Sequence, residues 1–432
     1  MKAALLAAAA LIAAPVAAPL RAETIAITGG TVAIGDGSEP IPNGTVIIRD
    51  GRIVAAGTAI GVPAGARTID AQGKWVSAGI IAGVSTLGIV DGYGMGETND
   101  ASAEKSPFSA AIDISPAINT SGQGITTERM NGVTRAFVIP SAANTMFGGQ
   151  GAVIDLGADL DPVTKARAFQ YVELGEEGGS RGGGSRPAAH VLLRAALAAA
   201  ANPALAGELS KDALITRQDA LALVPVIRGT MPLLVHAERV ADIKAALALK
   251  AEHPAIRMVL VGATEGWRVA EQIAAAKVPV IAAALTDLPE RFETLSATQS
   301  NVGRMTKAGV VVAISTADAS EGPYESYLAQ YAGNLVALTK IPGATGLGWG
   351  AAFATITSKP AATIGMEGEI GSLRPGRRAD VVIWDGDPLE LASAPVAVLI
   401  DGVAQPMTSR QTRLRDRYLD PGEKALPKAY ER

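Results

Sequence analysis

The stretch "TSKPAATIGMEGEIGSLRPGRRADVVIWDGDP", residues 357–388, decides the fold. A short helical run stops at Gly365, turn glycines follow at Gly371 and Gly376, and "ADVVIWD" (379–385) then alternates as a strand does. Glycine closes helices and serves turns because it reaches left-handed backbone without strain. A second strand pattern, "APVAVLIDGVAQP" (394–406), comes soon after. Strands this late in a chain need partners, and the chain offers them at its other end. "TIAITGGTVAIGDGSEPIPNGTVIIRDGRIVAAGTAIGVPAGARTIDAQGKWV" (24–76) is a series of short β-branched runs. The pairs Gly29-Gly30, Asp36-Gly37, Asn43-Gly44 and Asp50-Gly51 read as turns between them. This pattern predicts a small antiparallel β unit that the C-terminal strands rejoin.

From about Gly79 the rhythm changes. "GVTRAFVIP" (132–140), "MPLLVHAE" (231–238), "IRMVLVGA" (256–263), "VPVIAAAL" (278–285) and "GVVVAIST" (309–316) read as buried parallel strands. Helical patterns lie between several of them, at Arg239–Ala251 and Thr264–Ala276. Repeated strand then helix predicts an α/β barrel or a doubly wound sheet, and periodicity alone does not choose. "GEEGGSRGGGSRP" (175–187) interrupts the series and reads as a mobile loop. It lacks the lysine and hydroxyl that end a phosphate cradle. "TNDASAEKSPFSAAIDISPAIN" (98–119) reads as a substrate-side lid or a subunit contact.

Bulk properties narrow the function. The chain has 432 residues and 48% hydrophobic content, enough for a large core, while 48 glycines and only 4% aromatics point to close packing of small residues. A formal net charge of -4 gives no basis for binding nucleic acid or an anionic membrane. There is no cysteine, so no disulfide framework. The start "MKAALLAAAALIAAPVAAPLRAE" has a positive n-region at Lys2, an apolar run over 3–14 and a small-residue cleavage site at Leu20-Arg21-Ala22. That is the pattern of a bacterial secretory signal, with Glu23 as the mature start and the periplasm or exterior as destination. No membrane contact is expected after cleavage.

Three stretches carry a family resemblance: "NGTVIIRDGRIVAAG" with "IDAQGKWVSAGIIAG", then "VHAERVADIKAAL", then the 357–388 run. In the last, Pro360-Ala361, Gly365, Gly371-Ser372-Leu373, Gly376 and Ala379-Asp380 are the matching positions, and "FGGQGAVIDL" (147–156) is similar to one subgroup of exported members. The chain resembles the amidohydrolase superfamily, in particular its imidazolonepropionase-like and dipeptidase-like members. The resemblance implies a (β/α)8 TIM-like barrel with a small composite β-sandwich built from both chain ends. It divides the chain into a signal peptide (1–22), sandwich (23–78), barrel (79–359), sandwich again (360–408) and a charged tail (409–432). It implies a hydrolase of C–N bonds, with zinc as the metal if any binds.

The same resemblance exposes a gap. The family's first barrel strand ends in Asp-x-His-x-His, whose imidazoles share one face of the strand. Here "SAGIIAGVST" (77–86) puts Ala82, Val84 and Thr86 in that frame, so Val84-Ser85-Thr86 replaces the His-x-His. Only three histidines exist. His190 and His253 sit in helix contexts and read as ordinary polar or capping residues. His236, closing "MPLLVH", matches the fifth-strand metal ligand, and reads either as that ligand or as a hydrogen-bonded remnant of it. The sixth strand offers Gly262-Ala263, with Glu265 after it as a catalytic candidate or a helix-capping charge. The eighth strand's carboxylate falls one step late, at Asp318, the other catalytic candidate. The bridging lysine expected on strand four is missing, since Lys165 and Lys211 lie in polar contexts. Zinc catalysis needs about three protein ligands and an open position; His236, Glu265 and Asp318 are the set on offer, and no metal is the expectation. The reading is an exported protein, catalytically impaired or acting with an active paralogous amidohydrolase or a second copy of itself. The alternatives are an active single-metal hydrolase and a periplasmic protein binding a small molecule or short peptide.

Overall fold

The structure, a computed structural model, describes residues 23–91, 96–206, 215–284, 286–316 and 324–419. The signal segment 1–22, Lys211, Asp318 and the end of the tail lie outside them.

The N-terminal strands are β1 (Thr24–Ala33), β2 (Ile41–Arg49), β3 (Arg52–Gly57), β4 (Arg67–Asp70) and β5 (Trp75–Ala78). Of the four expected turns, Asp50-Gly51 is a tight hairpin turn between β2 and β3, with both residues at positive φ. Gly29-Gly30 and Asn43-Gly44 are not turns. They lie inside β1 and β2, where Gly30 opposes Gly44 between register shifts. A Cβ on Gly44 would come within 2.6 Å of Val32. The bulge lets β1 change partner on its other edge, from β4 to β5, both in parallel. The strands of this unit therefore form one hydrogen-bonded path that is not purely antiparallel.

Eight further strands build the barrel: β6 (Ile80–Ser85), β7 (Val133–Val138), β8 (Phe147–Asp155), β9 (Val163–Glu173), β10 (Leu233–Ala237), β11 (Met258–Gly262), β12 (Val280–Ala283) and β13 (Val312–Ser315). They pair in chain order. The strands expected at 132–140 and from 231 to 316 are present and parallel to their parallel neighbours. The departure from an all-parallel barrel is β8, antiparallel to both β7 and β9. The chain around it supplies only 139–146 and 156–162 as connections, too short for a helical crossover. The seam between β13 and β6 is bridged by another segment: Ile81 N donates to Ile356 O (2.8 Å) and Ile314 N to Thr355 O (3.1 Å).

Helices α1 (Gln123–Met130), α2 (Glu176–Arg181), α3 (Arg186–Ala201), α4 (Arg217–Ile227), α5 (Val240–Glu252), α6 (Ala270–Ala275), α7 (Asn301–Lys307), α8 (Tyr327–Ala337) and α9 (Trp349–Ala354) accompany the barrel. Their apolar faces and the outward strand residues share one large core. The barrel interior is a second core, with Phe137, Phe169, Leu234, Val259 and Ile281 at its centre. Ala361 and Ile364 of α10 (Ser358–Ile364) join that interior core. Gly365 then ends α10 in the left-handed conformation, as its position in the sequence requires.

Next come β14 (Val381–Trp384), β15 (Pro395–Ile400) and β16 (Val403–Ala404), and β14 pairs antiparallel with β5. The two chain ends thus share one sheet and one core, including Ile25, Val46, Val76, Val381 and Leu399. Arg135 of β7, fully buried, ties the two units. It donates to Asp380 through Nε (2.8 Å) and Nη2 (3.0 Å), and pairs with Asp155 and Asp401. The tail is ordered at its start as α11 (Arg410–Tyr418), capped by Ser409.

Candidate functional site

A cavity of about 870 Å³ opens at the C-terminal ends of the barrel strands, with Val84, Tyr171, Glu173, His236, Val261, Gly262, Ser315, Thr316 and Glu325 among its lining. This is the end at which barrel enzymes place their chemistry.

Its centre is a three-residue chain of opposite charges. His236 Nδ1 donates to Glu173 Oε2 (2.6 Å), and its Nε2 donates to Glu238 Oε1 (2.9 Å). Glu173 closes β9 and directly faces His236 of β10 in register. Burial alone pushes an imidazole pKa down, but the two carboxylates outweigh it and hold His236 well above its usual value. Burial likewise opposes ionisation of Glu173 and Glu238, and the imidazolium reverses this, so both lie below the ordinary carboxylate value. The outer oxygens are also satisfied. Tyr171 Oη donates to Glu173 Oε1 (2.6 Å), and Thr264 N donates to Glu238 Oε2 (2.8 Å).

The sixth strand shows why a glycine stands where the family resemblance leads one to look for histidine. Gly262 has φ +82°, and a Cβ there would lie 2.1 Å from Glu238 Oε1. The Glu238 carboxylate occupies that space. Ala263 follows, also at positive φ (51°) although it carries a side chain. That paired backbone geometry turns Thr264 N toward Glu238.

On β6 the expected frame holds in part. Val84 and Thr86 line the cavity, together with Ser85. Ala82 does not: it packs in the outer core, because a register irregularity falls between Ala82 and Ser85. Glu265 is a correction. It is buried, accepts from Val240 N (2.9 Å) at the start of α5 and lies 3.7 Å from Arg268. It caps a helix and does not line the cavity. Asp318 lies outside the described residues. His190 lies within α3 and His253 at the C-terminus of α5, both away from the cavity. Lys165 is exposed on β9. Residues 98–119 strap the barrel from outside, where Asp219 accepts from Ser109 N and Ala111 N (2.9 Å each), and none of them lines the cavity.

Sequence reasoning missed a second group. Glu325 lines the cavity yet is fully buried, with Oε2 accepting from Thr316 Oγ1 (2.7 Å). Glu128 of α1 faces it and accepts from Ser326 N (2.6 Å). Burial raises both carboxyl groups to about 7, helped for Glu128 by the charge of Glu325 and opposed for Glu325 by the Thr316 and Ser85 hydroxyls. The interrupting stretch 175–187 is also not a loop throughout. Its α2 brings Glu176, Glu177 and Arg181 to the cavity rim.

Zinc does not fit these residues. Both nitrogens of the one imidazole at the cavity are engaged to carboxylates, so neither lone pair is free for a metal. Val84 and Gly262 supply no donor. Among the described residues no cluster of three or more His, Cys, Asp or Glu side chains is arranged to hold a metal ion.

Comparison with known proteins agrees with the architecture. Residues 231–404 match the model of the amidohydrolase family. A stretch of 60 residues is 50% identical to the amidohydrolase TasK of Hapsidospora irregularis, covering 14% of this chain and only 6% of that protein. Among solved structures, an amidohydrolase from Thermotoga maritima superposes with a TM-score of 0.76 at 23% identity, over 88% of this chain and 99% of that one. Molinate hydrolase superposes at 0.54 with 19% identity, over 94% and 98%. The match to the amidohydrolase family thus spans residues 231–404, and the chain as a whole shares the fold of these structures: a composite sheet from both chain ends and a barrel entered through residues 79–80 and left through α10.

Proposed function

We propose that this protein is an exported member of the superfamily that binds a small molecule at the barrel mouth without a resident metal, the metal-dependent cleavage of C–N bonds having been lost. The observation that carries this reading is His236 held between Glu173 and Glu238, with Gly262 making room for the second carboxylate. The imidazolium and its two carboxylates occupy the position of the fifth-strand ligand with one net negative charge, and both ring nitrogens are taken up. Export rests on the sequence pattern of residues 1–22. Where a reaction follows binding, an intact amidohydrolase or a second copy of the chain would supply it.

The test is metal analysis of the purified mature protein, joined to hydrolysis assays on dipeptide and lactam panels with and without added zinc. Metal well below one equivalent and no turnover are expected, with His236→Ala leaving the metal content unchanged. One zinc per chain that disappears in His236→Ala, together with turnover, would establish the single-metal hydrolase instead.

A further inference from the structure

We propose that Glu325, in the cavity wall, receives the protonated nitrogen of a small amine whose apolar body lies against Val84, Ile139, Val261 and Phe292. This rests on the reading of the barrel mouth as a ligand site.

The first observation is an unmet acceptor. Glu325 is fully buried, and its Oε1 has no hydrogen-bond partner among the described residues. A buried acceptor without a donor is costly, and native interiors seldom leave one. The second is the charge of the walls. Glu173 and Glu238 carry two negative charges against the one positive charge of His236. Glu325 and Glu128 add a carboxyl pair that titrates near neutrality. The cations lining the cavity are committed or remote: Arg181 pairs with Glu177 and the Ala143 carbonyl, and Arg291 is exposed at the rim. Among the described residues no lysine lines the cavity.

An ammonium group answers both observations, with up to three N–H donors and a positive charge in a weakly screened interior. A neutral amide would use the Glu325 proton but leave the negative walls uncompensated. A carboxylate would be repelled. The groups facing Glu325 are the carboxyl of Glu128 and the hydroxyls of Thr316 and Ser85, and His236 and Glu173 line the same cavity. Docking of an ammonium favours ionised Glu325, so the carboxyl O–H breaks and its proton leaves to the buffer, while the amine keeps its own.

Calorimetric titration with benzylamine, cyclohexylamine and n-hexylamine, each against the alcohol of the same skeleton, tests this. Performed at pH 6 in two buffers of different ionisation enthalpy, it also counts protons. The amines are expected to bind about tenfold or more tightly than the alcohols, with about one proton released per amine bound. Glu325→Gln should remove both the preference and the release. Equal binding of amines and alcohols, no binding by any amine, or an unchanged preference in Glu325→Gln overturns the proposal. If that variant does not fold, proton release by the wild-type protein decides alone. Failure of the amines in a metal-free protein sinks only this inference; stoichiometric zinc with turnover sinks the reading beneath it.

Discussion

His236 shows how a single side chain can close a site that its strand position would otherwise open. Its two nitrogens answer two buried carboxylates, so truncation leaves Glu173 and Glu238 as neighbouring charges with no cation between them. His236→Ala is therefore expected to cost about 3–5 kcal/mol of stability, measured by urea unfolding at pH 7. Gly262→Ala addresses the same arrangement from the other side. It introduces a methyl where the Glu238 carboxylate sits and places a side chain at a φ of +82°. A loss of roughly 1–3 kcal/mol is expected, together with a fall in the imidazole pKa followed by NMR titration. At this scale the sequence was legible where it had a frame. The loss of ligands at Val84 and Thr86 could be read, but the slip that turns Ala82 outward could not, because an irregularity of one residue leaves no mark in composition. The partners of His236 were within reach. Glu238 stands two residues further along, and that spacing puts both on one side of an extended strand. Glu265 drew attention instead, since a carboxylate after a strand end serves a helix N-terminus as readily as a cavity.

Among the elements, α1 and α8 meet through a pair of acids. Glu128 lies near the end of α1, and Glu325 just precedes α8, whose first residues offer Ser326 N to Glu128. Both carboxyl groups rise from 4.5 to about 7 in the folded chain. A raised carboxyl pKa means that the folded state binds protons more tightly than the unfolded one. The stabilisation is full below about pH 4.5 and is lost as pH rises through about 7. Relative to the Glu128→Gln/Glu325→Gln double variant, the wild type should lose roughly 3 kcal/mol per carboxyl group, about 6 kcal/mol for the pair, across that window, seen in parallel unfolding curves at successive pH values. The element α2 illustrates a misleading signal. Its glycines suggested a mobile loop, yet Gly178 sits so close to the Glu173 carbonyl that a Cβ would lie 2.1 Å away. Here glycine marks close packing within a helix. The reversal of β8 was legible in principle, because the segments flanking it are shorter than any helical crossover.

Across the whole molecule, the barrel and the composite sheet are joined by Arg135 and three aspartates. Removing the guanidinium strands Asp155, Asp380 and Asp401 together. Arg135→Met should cost about 3–5 kcal/mol, and adding Asp380→Asn should recover part of it, a coupling that a double-mutant cycle reads directly. The overall architecture was the most legible level, since the run 357–388 fixes both the exit from the barrel and the return to the sheet. The arginine itself was not, because "GVTRAFVIP" reads as one more apolar strand and its partners lie far along the chain. The bridge that Thr355 and Ile356 make between β6 and β13 has a further consequence, for the order of folding. During synthesis β10 to β13 can pair with their neighbours as they emerge. The outer edge of β6 must wait for residues 355–356, and β5 must wait for β14. Two early edges thus stay unpaired until almost the whole chain has been made. Closure of the barrel is then a late and slow event, and the window before it is when the chain is most exposed to aggregation.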